Sequence, residues 1–189
     1  MTELKHAGNP IDSTIEEEQV ISNLFHGWGY NFYRAENQVR ADDLLVRNKV
    51  SDLLGQARSH LARLEAEYRR GHLPPPTREH PFPDAQAIAA ARALGQTQRD
   101  IEAIEVAIRS APVPEMDRIT QRHRNELDTL QRLRDIDLKL VSGAVNLQRA
   151  IAALDDGATA AQSATQLLQA STLHAIGEQR VQALSSLVA

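Results

Sequence analysis

The sequence predicts an all-α protein, an elongated helical bundle with long antiparallel coiled-coil-like helices. Apolar residues recur at spacings of three and four along most of the chain, which is the period of one helix face. β-Branched and aromatic residues nowhere alternate with polar ones over a useful length, so no strand pattern competes. Residues 116–154 add an apolar seam about six heptads long, the signature of a helix that pairs along its length. At 189 residues the chain has the usual size of one domain, and an elongated domain buries less of itself than a sphere would.

Breakers divide the chain into five predicted helices, at about 12–26, 30–70, 84–110, 114–154 and 158–187, in a single bundle domain (12–189) that follows a flexible N-terminus at 1–11. The first helix starts on a cap, Asp12 or Ser13, with Glu16 placed three residues after Ser13 as a capping-box partner. Glu16, Glu17 and Glu18 favour the positive end of its dipole, and Val20, Ile21, Leu24 and Phe25 form a short apolar face beyond them. The second helix carries Val39, Val46, Val50, Leu53, Leu54, Ala57, Leu61, Leu64 and Tyr68 at helical spacing. A Pro-rich connector at 71–83 follows, which reads either as a stiff link or as a polyproline segment of the kind that aromatic-lined grooves recognise. The third helix has a narrower stripe, Ala87, Ala91, Leu94, Ile101, Ile104 and Ile108, and is expected to fold back along the rods.

The fourth helix holds the seam. Counting in sevens places Met116, His123, Leu130, Asp137, Ala144 and Ile151 in one column, and Ile119, Glu126, Leu133, Leu140, Leu147 and Leu154 in the other. Leu127, Ile136, Leu138, Val141 and Val145 widen the stripe beyond what a two-stranded coil buries, so at least two neighbours are expected. At 1.5 Å per residue the second and fourth helices each span about 60 Å, and their matched lengths suggest an antiparallel pair. His123, Glu126 and Asp137 interrupt the leucines and need partners, for which arginines of the second helix, for example Arg58 or Arg63, are the candidates, unless the seam opens there to water or another chain. Such interruptions set register or oligomeric state in coiled coils. The last helix has only Glu178 and Arg180 as charges, and its small uncharged residues suit burial in a bundle or an oligomer interface, with a weakly ordered tail as the rival reading.

Composition narrows the function classes. A net charge of −4 argues against a nucleic-acid partner, and the cluster Arg58, Arg63, Arg69 and Arg70 with His60 and His72 is interleaved with Glu65 and Glu67 as on a solvated face. The absence of cysteine removes disulfides, thiolate metal sites and a cysteine nucleophile. No stretch reaches the roughly 18 apolar residues of a membrane span, and the polar, acidic start does not resemble a secretory signal, so a cytoplasmic protein is expected. Export by a route that reads no N-terminal signal would leave the same sequence.

Chemistry-bearing motifs are weak. A di-metal carboxylate bundle needs two Glu-x-x-His turns, and the chain has one, Glu3 to His6. His174 and Glu178 lie four apart on one face, as two ligands or a solvent-facing pair would, and no spacing specifies a third ligand. Neither a Gly-x-Ser-x-Gly elbow nor a phosphate-binding glycine loop occurs. No catalytic residue, metal or cofactor is therefore expected.

The most distinctive chemistry is FHGWGYNFYR. The chain has one Trp, three Tyr and three Phe, and all but Tyr68 and Phe82 fall between 25 and 33. Gly27 and Gly29 permit a sharp break there, and Asn31 can cap the helix that follows. The rings either plug the end of an aliphatic bundle or anchor a partner, with Phe25, Trp28, Tyr30, Phe32, Tyr33 and Arg34 as the partner-binding candidates. The expected function is a non-catalytic helical adaptor, scaffold or accessory subunit that acts through protein contacts and self-association. The alternative is a helical enzyme or ligand binder with a pocket at 25–33, using His26, Tyr30 or Tyr33 as polar groups.

Overall fold

The computed structural model describes residues 35–78, 81–111, 126–155 and 159–188. Five helices account for most of them: α1 (Ala35–His72), α2 (Ala85–Ser110), α3 (Glu126–Ala152), α4 (Ala160–Ala170) and α5 (Leu173–Val188). No strand occurs among the described residues. The predicted helix at 12–26 and the first part of the predicted fourth helix, 114–125, lie outside them.

α1 is a single rod of 38 residues. Its expected stripe is buried from Val46 through Val50, Leu53, Leu54, Ala57, Leu61 and Leu64 to Tyr68. Each fully buried aliphatic side chain contributes roughly 1.5–3 kcal/mol relative to an exposed one. Arg69, Arg70 and His72 occupy its last turn, where cations complement the helix dipole. α2 is capped by Asp84, whose carboxylate accepts from the amides of Gln86 and Ala87 at 3.1 and 3.2 Å. Ala87, Ala91, Leu94, Ile101 and Ile108 of its predicted stripe are buried, and Ile104 packs partly buried against the same core.

α1 and α2 run antiparallel. Ser51 and Arg58 reach Glu105, while Gln98 reaches Glu65 further along α1, so the residue numbers on the two helices move in opposite directions. α1 and α3 run the same way: Arg47 lies within electrostatic reach of Asp137, and His60 Nε2 is 3.3 Å from the Leu154 carbonyl. This corrects the expectation that matched length would pair the second and fourth predicted helices in antiparallel fashion. Matched length carries no information about polarity.

The seam on α3 buries Leu133, Asp137, Leu140, Ala144, Leu147 and Ile151, and the flanking Ile136, Val141 and Val145 are buried as well. The wide stripe is used as expected, since α3 packs on α1, on α5 and on α4. Asp137 to Arg180 and Gly143 to Leu173 mark α3 and α5 as antiparallel. The single helix predicted at 158–187 is two helices that turn at Ser171 and Thr172. Thr172 adopts φ 53°, a left-handed conformation that a β-branched residue pays for in strain, and its carbonyl accepts the amide of Ile176. α4 and α5 together make the fourth rod. Thr97 of α2 meets Thr165 of α4 at 3.1 Å, and the end of α2 meets α5, so this rod runs parallel to α2.

Candidate functional site

Phe25, Trp28, Tyr30, Phe32, Tyr33 and Arg34, the residues predicted to bind a partner, lie outside the described residues, as do His26 and His123. The described site chemistry lies further along, where the four rods share one buried polar layer.

Arg47, Asp137 and Arg180 form that layer, and all three are buried. Their places follow from helix periodicity. Arg47 adjoins Val46 and Val50 on the core side of α1, Asp137 occupies a seam column on α3, and Arg180 lies two turns beyond the buried Leu173 on α5. Arg180 Nε donates to Asp137 Oδ1 at 2.8 Å, a charge-assisted hydrogen bond. Arg47 Nη1 donates to the Ala111 carbonyl and, at 3.4 Å, to the Arg109 carbonyl, so its guanidinium serves the end of α2, where helix carbonyls lack intrahelical donors. One layer thereby joins α1, the end of α2, α3 and α5.

Burial dominates the electrostatics. It pushes the Asp137 carboxyl up to about 7 against the opposing pull of Arg47. It also lowers Arg180 to about 10, so the guanidinium keeps its proton at neutral pH. Burial lowers Arg47, and the Asp137 charge opposes that shift. A polar layer of this kind favours one alignment of the helices, because a slipped partner strands a charge in low dielectric.

Asp137 pairs with Arg180 of α5, and the arginine of the second predicted helix within its electrostatic reach is Arg47 rather than Arg58 or Arg63. Arg58 instead pairs with Glu105 at 2.9 Å and with Glu102 at 3.6 Å on α2. Arg63 donates to His60 Nδ1 at 2.7 Å, which leaves Nε2 as the protonated nitrogen facing Leu154 O. Arg180 was a partial clue, because it and Glu178 are the only charges of the last predicted helix, but spacing did not show which of them is buried.

Two grooves adjoin the layer. One, of about 730 Å³, runs along the polar face of α1 past Lys49, Asp52, Gln56 and Arg63, with Glu105 and Arg109 on one side and Gln148 on the other. Its charges largely answer one another, since Glu105 accepts from Ser51 at 2.7 Å and pairs with Arg58 and Arg109. The second, of about 350 Å³, lies between the end of α2 and α5, with Ile104, Ile108, Leu173 and Val181 as apolar walls beside Arg180. His174 and Glu178 stand at its rim as an exposed pair 3.3 Å apart. Among the described residues no group of three or more His, Asp or Glu is placed to hold a metal ion. No described helix is long and apolar enough to cross a membrane.

No family model matches the chain, and no curated protein or solved structure is similar to it.

Proposed function

We propose that the chain is a non-catalytic helical adaptor, scaffold or accessory subunit of the cytoplasm that acts through protein contacts, with long coiled-coil-like rods and self-association. The aromatic residues Phe25, Trp28, Tyr30, Phe32 and Tyr33, with Arg34, are its partner anchor. The observation that supports this reading is the gathering of five of the chain's seven aromatic residues, with Arg34 beside them, into residues 25–34. Trp, Tyr and Arg are the residue types that dominate binding hot spots.

The test pairs sedimentation velocity over a wide concentration range with affinity capture by the wild type and by Trp28→Ala. Mass that rises with concentration, and partners that are lost in the folded variant, are the expected results. A wild type that stays monomeric and captures nothing contradicts the adaptor reading. So does a stoichiometric metal, or a Trp28 emission shifted by a small molecule. A folded Trp28→Ala protein that keeps every partner contradicts the anchor.

A further inference from the structure

The connector between α1 and α2 is longer than its task. The two helices lie side by side in antiparallel register with Glu65 facing Gln98, so α2 starts nearly two turns beyond the end of α1, and the joined ends are separated by roughly 13 Å. Connections of about 2–8 residues suffice for such a hairpin. Residues 73–84 supply a contour of roughly 35 Å at about 3.1 Å per residue. That contour is more than twice the span, and the described residues from Pro74 to Asp84 project as exposed chain.

Both feet of the projection are fixed. Leu73 packs against the core and its amide donates to Arg69 O at 2.9 Å, while Asp84 caps α2. Between them Pro74, Pro75, Pro76, Thr77 and Arg78 are exposed, and so are Pro81, Phe82 and Pro83. Phe82 is 86% exposed, more than any other large apolar side chain among the described residues. A proline on either side keeps it out of a helix that could turn it inward.

The prolines also decide how such a segment can be recognised. They fix φ near −65° and force the residue before each of them into extended backbone, which favours a polyproline helix. A run without N–H groups cannot add a strand to a sheet edge, and it cannot enter a groove as an amphipathic helix. Its outward carbonyls and flat ring faces do suit a groove lined by Trp and Tyr, whose indole and phenol groups donate hydrogen bonds while their rings pack on proline. Such a segment has little backbone freedom left to lose on docking.

We propose that this projection is a docking ligand for a partner protein with an aromatic-lined polyproline groove: Pro74, Pro75 and Pro76 form the face that enters the groove, and Phe82 is a second anchor at its edge. Arg78 fixes the direction of docking, because a polyproline helix is nearly symmetric end to end and a charge on one flank removes the ambiguity. The proposal rests on the adaptor reading and names a second contact surface for it, away from the aromatic stretch at 25–34.

The test titrates the intact chain into isotope-labelled SH3 and WW domains and follows the indole N–H signals of their groove tryptophans. Saturable shifts with at least one class are expected. Binding should weaken tenfold or more in a variant carrying Pro74→Ala, Pro75→Ala, Pro76→Ala and Phe82→Ala, whose exposed sites leave melting temperature and helix content unchanged. No shift with either class, or binding by the variant equal to the wild type, overturns the proposal. The two readings fail separately. If the quadruple variant captures the same cellular partners as the wild type, the projection is not the ligand and the adaptor reading stands. If the wild type engages no protein at all, both fall.

Discussion

Around Leu61, Leu94, Ile151 and Ala164 the bundle is filled by aliphatic side chains, whereas nearer the start of α1 the same rods meet through Arg47, Asp137 and Arg180. The two layers do different things. Aliphatic packing rewards any alignment that keeps the stripes inward, and a slip of one heptad on α3 still sets leucine against an apolar face. The charged layer rewards one alignment, since moving α5 along α3 would part Arg180 from Asp137 and leave both buried. Stability is thus spread along the rods, and register is concentrated in one layer.

Breaking the charged layer from one side should have the largest effect. Asp137→Ala leaves Arg180 and Arg47 facing a buried gap and should lower stability by about 3–5 kcal/mol, read as a fall in the urea midpoint. Leu61→Ala in the aliphatic layer opens a cavity and should cost about 2–5 kcal/mol, with a single cooperative transition and unchanged helix order. A loss under about 1 kcal/mol for Asp137→Ala would remove the distinction between the layers.

A pH series sharpens the comparison, because only the charged layer responds to it. The fold raises the Asp137 carboxyl from 3.8 to about 7, so it favours the protonated form. The stability this group contributes is fully present below about pH 4 and is lost as pH rises through about 7. The wild type should therefore lose midpoint relative to Asp137→Asn between pH 4 and 8. A difference that is flat, or that grows with pH, would show that the ionised carboxylate is the favoured form. The smallest effect is expected at the foot of the proline projection, where Asp84→Ala removes the α2 cap and should cost about 1 kcal/mol by thermal melting.

The sequence displayed much of this fold because helix stripes depend on local spacing. The α1 stripe from Val46 to Tyr68 and the α3 column Leu133, Leu140 and Leu147 are buried as their periods predict. Polarity was not legible, since spacing is the same whichever way a neighbour runs. The break between α4 and α5 was hidden for another reason. It falls at Ser171 and Thr172 with neither glycine nor proline, and Thr172 is held at positive φ by its surroundings rather than by its own preference. The buried arginine was half visible, because Arg180 and Glu178 stand out as the only charges of the last predicted helix, while spacing shows neither which of them is buried nor with what partner. The aromatic stretch 25–34, the most conspicuous feature of the sequence, lies outside the described residues, so the charged layer and the grooves beside it came from contacts that no single helix encodes.

Crosslinking of engineered cysteines tests the role of the charged layer most directly, and the chain's lack of cysteine leaves no competing thiol. A short bismaleimide joins His60→Cys to Leu154→Cys, which lie where α1 meets the chain just past α3, His60 Nε2 being 3.3 Å from the Leu154 carbonyl. The account predicts efficient crosslinking in the otherwise native protein. It predicts reduced, mixed crosslinking when Arg47, Asp137 and Arg180 are replaced together by Met, Leu and Met, although helix content and melting temperature are kept. Equal crosslinking in both backgrounds would contradict it and assign register to the aliphatic core.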